Sequence, residues 1–163
     1  MTLTGEEAVR AMLEKDAFSQ WLGVELVAVG TDAVVLKMKV RADMVNGFGV
    51  CHGGVTFAFA DSALAFTSNQ MGKITVSIDN HINYPALVRV GDVLTATSRE
   101  LSRGTRLAVY EVMVFNQKNR PVGLFHGTVY ITDKEFGNNG EPLNDREHQT
   151  IPSGIQDTEG NDS

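Results

Sequence analysis

Asp61 is the only formally charged side chain between Asp43 and Lys73. It lies in Gly53-Gly54-Val55-Thr56-Phe57-Ala58-Phe59-Ala60-Asp61-Ser62-Ala63-Leu64-Ala65-Phe66, a run otherwise apolar or small. Removing an unpaired carboxylate from water costs several kcal/mol, so such groups are almost never fully buried. A lone acid here either reaches solvent or sits where a reaction uses it. The segment before it, Asn46-Gly47-Phe48-Gly49-Val50-Cys51-His52-Gly53-Gly54, leads into the start of a helix. The first N–H groups of a helix have no intrahelical acceptor, and the positive end of the helix dipole lies there. Gly53 has no side chain to keep a substrate carbonyl away. A carboxylate with a reference pKa of about 3.9 is ionised at neutrality unless strongly desolvated. It can deprotonate water or attack as a nucleophile, while backbone donors hold the oxyanion that develops.

Gly53 and Asp61 are eight residues apart, which along one helix is about 12 Å. Donors and base must both lie within about 3 Å of one carbonyl group, so a single helix cannot bring them together. Two antiparallel helices related by a two-fold axis can, each site then taking Gly53 from one subunit and Asp61 from the other. A monomer is expected to be inactive.

Other residues invite chemistry and lose to simpler readings. Cys51 beside His52 is not a nucleophile pair, since adjacent residues rarely face each other and a free cysteine is commonly a small buried residue. His52 is better suited to fixing the loop by hydrogen bonding than to acting as a base. His81, His126 and His148 lack metal-ligand spacing, so no metal is expected. Of Phe48, Phe57, Phe59 and Phe66, most belong to the core. Arg103, Arg106, Lys118 and Arg120 cluster near turns, where solvated charges are commoner than phosphate ligands.

The elements that must position this set follow from periodicity. Thr4-Gly5-Glu6-Glu7 has the form of a capping box, opening a helical stripe that ends near Gly23. Residues 24–29 and 33–40 are predicted strands, and residues 41–50 a loop. The helix from Gly53 or Gly54 to about Gln70 is apolar almost all round, which predicts burial. Strands follow at 74–84, 93–101, 107–116 and 122–132, with Arg103-Gly104-Thr105 and Gln117-Lys118-Asn119 as turns. The order predicts an α+β fold, one antiparallel sheet wrapped around a central helix, with a second copy covering the helix's far side.

A chain of 163 residues suits one domain, placed here at 1–132. Residues 133–163 carry eight acids against two bases, which accounts for the whole net charge of −6. This tail is predicted to be disordered, with too few large apolar residues to offset its ordering entropy. The neutral remainder has no basic stripe, which argues against nucleic acid. No apolar run is long enough to cross a bilayer, the N-terminus lacks a signal pattern, and a single cysteine fits a reducing cytoplasm.

Asn46-Gly47, Cys51-His52-Gly53-Gly54 and Asp61 in an alanine-rich helix resemble the hotdog-fold acyl-CoA thioesterases, of the phenylacetate-degradation (PaaI) type. Ser77-Ile78-Asp79, Asn83-Tyr84-Pro85-Ala86, Gly91-Asp92-Val93-Leu94 and Leu124-Phe125-His126-Gly127 fall in the family's order, and the resemblance spans about residues 6–132. It implies metal-free hydrolysis of small or aromatic acyl-CoA, with coenzyme A as part of the substrate and no separate cofactor. It also implies a homodimer with joined sheets, often doubled into a homotetramer. The catalytic positions it implies are Asp61 as the acid, Gly53 as backbone donor and Asn46 as a polar partner near the reacting atoms. His52, Gly54 and Ser77 fall in the substrate-binding surround, Ser77 at a hydroxyl position some relatives use near the water. The rivals are a hotdog hydratase or dehydratase, which would need a His-Phe-Pro type loop absent here, and a non-catalytic acyl-CoA sensor, which would not need Asp61.

Overall fold

A computed structural model describes residues 2–136. The elements are α1 (Gly5–Lys15), α2 (Ala17–Leu22), β1 (Glu25–Val29), β2 (Ala33–Lys39), a short 3-10 turn (Ala42–Met44), α3 (Gly53–Asn69), β3 (Lys73–Asn83), β4 (Val93–Arg103), β5 (Leu107–Phe115) and β6 (Pro121–Glu135). Six strands form one antiparallel sheet in the order β1-β2-β4-β5-β6-β3. The sheet curls around α3, which touches β2, β3, β4, β5 and β6. Among the described residues, no helix is long and apolar enough to cross a membrane.

The core lies between α3 and the concave face of the sheet. Phe59, Ala60, Ala63, Leu64 and Phe66 are fully buried there with Leu36, Leu94, Ala96, Val112, Val114 and Phe125. Each large side chain contributes roughly 1.5–3 kcal/mol by leaving water. Polar groups at the far end of α3 are satisfied locally. The Thr67 and Ser98 hydroxyls bond each other, and Asn69 Oδ1 accepts the Thr75 N–H at 2.9 Å. That bond fixes where the helix gives way to β3.

Several boundaries differ from expectation; β4, for one, runs on through Arg103, which was expected in a turn. The N-terminal stripe is two helices, broken at Asp16, whose carboxylate accepts the Ser19 N–H at 2.9 Å and starts α2. The Thr4 capping box does not form. Gly5 sits at φ 58° and gives its N–H to Gln70 O at 2.6 Å, so α1 begins by docking on the end of α3. Strand β6 continues past Thr132 to Glu135 because β3 begins at Lys73 and pairs with it there; Phe136 then donates to Gly72 O at 2.8 Å and accepts from Leu3 N at 3.1 Å. The domain therefore extends beyond 132, and the expectation of disorder over the rest of the tail falls outside the described residues.

Candidate active site

The loop before α3 is built to present a helix start. Asn46 N–H donates to Val50 O at 2.8 Å, Gly49 turns at φ 73°, and Val45 bridges Cys51. Asn46 Oδ1 accepts the Phe48 N–H at 2.9 Å, leaving the side-chain amide nitrogen without a partner among the described residues. His52 caps α3, its Nδ1 accepting the Gly54 N–H at 2.9 Å. Gly54 thus spends its N–H inside the protein. The Gly53 N–H, by contrast, has no acceptor among the described residues, and the helix dipole points outward beside it. Cys51 is buried, and burial pushes its thiol above the ordinary range, so it remains a poor nucleophile at neutral pH.

Asp61 sits two turns further along α3 and is only partly buried. Its Oδ1 accepts from Asn80 Nδ2 at 2.9 Å and lies 3.5 Å from Ser77 Oγ, a long contact. Its Oδ2 has no protein partner, and no cation pairs with it among the described residues. Burial raises its pKa above the usual carboxylate range; Asn80 and Ser77 pull it part of the way back, and the negative charge of Asp16 adds to the rise. One oxygen is anchored and the other is free to meet a reactant.

Ser77 and Asn80 reach one carboxylate only because β3 is irregular. In a regular strand, residues three apart point to opposite faces. Pairing with β6 slips between Ser77 and Asp79, so Ile78 is an extra residue and Ser77 and Asn80 both face α3. The Asn80 Oδ1 is buried with no partner, wedged toward Gly127, where an added Cβ would lie 2.7 Å from it. Asp79 and His81 turn to the outer face, where the His81 and His126 rings stack at 5.2 Å. No group of three or more metal-ligating side chains occurs among the described residues.

The less buried positions of α3 include Gly54, Ala58, Asp61 and Ala65, at the spacing of one helix face. This row of small residues is flanked by β3 and by α2, which is tied to α3 through Ser19 Oγ and Ser62 Oγ at 2.8 Å. Phe59 and Phe66 are core and Phe57 packs edge-on against Phe125, but Phe48 is 93% exposed at the loop tip. Arg103 is held by Glu100 and Arg106 by Asp133, whereas Lys118 and Arg120 have no ion-pair partner among the described residues. Their turn joins the loop carrying Val88 through Gln117 and Asp92, and Val88 in turn bonds Cys51.

Asn80 and Tyr84, whose hydroxyl donates to Gly53 O at 2.8 Å, lay outside the sequence-based site. Strand alternation assigns Asn80 the wrong face unless the bulge is known. Nothing local marks Tyr84 as a neighbour of Gly53.

Residues 48–122, which hold both glycines and Asp61, match the family model described as Thioesterase superfamily. The acyl-coenzyme A thioesterase PaaI of Escherichia coli K12 is 36% identical over 117 residues, covering 72% of this chain and 84% of that protein. The chain belongs to the thioesterase superfamily. Human acyl-coenzyme A thioesterase 13 is 31% identical to this thioesterase over 120 residues, covering 72% of this chain and 86% of the relative. The solved structure of the E. coli PaaI protein, from the phenylacetic acid degradation operon, superposes with a TM-score of 0.77 at 33% identity, covering 78% of this chain and 93% of that one. A Streptococcus mutans protein bound to acetyl CoA superposes with a TM-score of 0.67 at 27% identity, covering 69% and 90%. The fold is the hotdog: a long helix enclosed by a single antiparallel sheet.

Proposed function

We propose that this thioesterase hydrolyses small or aromatic acyl-CoA thioesters, phenylacetyl-CoA among them, at sites shared between two subunits. The observation that carries the reading is Asp61 itself, a partly desolvated carboxylate with one oxygen anchored by Asn80 and, among the described residues, no partner on the other oxygen and no cation beside it. Groups perturbed in this way cluster where chemistry is done. Gly53 N–H of one subunit receives the developing oxyanion, and Asp61 of the other supplies the attack, either through a water it deprotonates or directly. In the water route the C–S bond breaks and the coenzyme A thiolate recovers the proton held by Asp61. In the direct route C–S cleavage leaves a mixed anhydride on Asp61; water then hydrolyses it, freeing the acid and the carboxylate and supplying the thiolate's proton. Asn46, with its free amide nitrogen, and Ser77 line the reacting space.

Two features support a dimer. Strand β3 is an edge with one side unpaired, and the Gly54-Ala58-Asp61-Ala65 row offers small side chains for a partner helix to approach. Lys118 and Arg120, in the turn that Gln117 ties to Asp92, would receive coenzyme A phosphates. No site residue requires the tetramer implied by the resemblance.

The test is release of free thiol from acetyl-, hexanoyl-, benzoyl- and phenylacetyl-CoA by the wild type and Asp61→Asn. Turnover lost in the variant supports the reading. Tight acyl-CoA binding with no wild-type turnover would make the protein a sensor instead.

A further inference from the structure

Gly53 has a second neighbour besides the substrate it is proposed to serve. A Cβ built on Gly53 would lie 3.3 Å from both Cζ and Oη of Tyr84, so the tyrosine ring occupies space that any other residue at 53 would contest. From there Tyr84 Oη donates to Gly53 O at 2.8 Å. The N–H of the same peptide, that of Gly54, donates to His52 Nδ1 at 2.9 Å. One rigid peptide plane is thus held at its oxygen by the segment after β3 and at its nitrogen by the helix cap.

Fixing that plane matters because of what adjoins it. The Gly53 N–H belongs to the preceding peptide and is separated from the held plane only by the two soft dihedrals of Gly53. Glycine has more conformational freedom than any other residue, and helix ends fray. The plane carrying the Gly53 N–H is held at its own oxygen, where His52 O accepts the Val55 N–H at 2.9 Å, so the direction of that N–H, which has no acceptor among the described residues, is set by how the two held planes meet at Gly53. We propose that Tyr84 is a positioning residue which, with His52, clamps the Gly53–Gly54 peptide and so aims the Gly53 N–H at the reacting oxygen. This rests on the reading of the site given above. Tyr84 and Gly53 come from the same subunit, so the donor half of each site is braced within one chain while its acid comes from the other. Burial raises the Tyr84 pKa further above the ordinary phenol range, which keeps the hydroxyl a donor at assay pH.

Tyr84→Phe keeps the ring and deletes only the clamp. Its kcat is expected to fall about tenfold with KM within about twofold. The ratio should be the same for all four acyl-CoA substrates, because the oxyanion corner is common to them. Gly53→Ala, whose Cβ presses on the ring, is the second variant: in its background Tyr84→Phe should cost little further, since the clamp is already displaced. Asp61→Asn runs alongside. If it abolishes turnover while Tyr84→Phe leaves kcat unchanged, or the two losses at 53 and 84 simply multiply, the clamp is refuted and the site reading stands. An acyl-dependent rise in KM for Tyr84→Phe also refutes it, by placing Tyr84 against substrate. If Asp61→Asn remains active, the site reading fails and the clamp with it.

Discussion

Asp61 is anchored by Asn80 through one oxygen, and that bond favours the ionised form against burial. Asn80→Ala should therefore raise the carboxyl pKa further, moving the acid limb of the kcat profile toward higher pH; a profile that stays put would show that Asn80 does not tune the acid. The same burial has a stability consequence. With the folded-state pKa above the unfolded one, the folded chain holds more protons between the two values, so stability declines as pH rises through that window and stays lower above it. Asp61→Asn should accordingly melt at a higher temperature than wild type at neutral pH, with the difference shrinking in acid, as monitored by circular dichroism. Asp61 was legible in the sequence because it stands alone among apolar neighbours. Its partner Asn80 was not, because an asparagine in a strand advertises no particular acceptor.

The helix carrying the acid was legible as an element for the same reason: an apolar pattern on every side has no place but the interior. The strands were found to within a few residues from their alternation. Beyond pattern reading were the break at Asp16, set by its own side-chain cap on Ser19, and the bulge at Ile78, set by pairing with β6. The bulge puts β3 and β6 in a tight arrangement around Gly127, where an added Cβ would lie 2.5 Å from Leu64 Cδ2 and 2.7 Å from Asn80 Oδ1. Gly127→Ala should cost about 1–3 kcal/mol by overpacking and, by displacing Asn80, shift the pH profile in the same direction as Asn80→Ala. Denaturant melts and kcat–pH profiles check both effects; a destabilised variant with an unmoved profile would separate the packing role of Gly127 from any influence on the acid.

Residues 2–136 close on themselves, since Phe136 bonds Gly72 and Leu3 at the end of the last strand. Removing residues 137–163 should leave kcat/KM unchanged, whereas cutting at 133 removes the Arg106–Asp133 and Lys73–Glu135 pairs and should lower the melting temperature. The proposed sharing of the site between subunits rests on the eight-residue separation of Gly53 and Asp61, because helix rise is invariant. It makes a distinctive expectation. Asp61→Asn and Gly53→Pro, which deletes the donor N–H at the first helical position, should each be inactive and should regain up to about a quarter of wild-type turnover when unfolded and refolded together, since half the dimers are mixed and each holds one intact site. No recovery would exclude donation across the interface. The unpaired edge of β3 and the uncovered row on α3 have a kinetic corollary for this proposed assembly. A catalyst completed by its own twin obeys mass action in itself: on dilution below its self-association constant, the initial rate should grow with the square of the amount of protein added, and only above that threshold become linear.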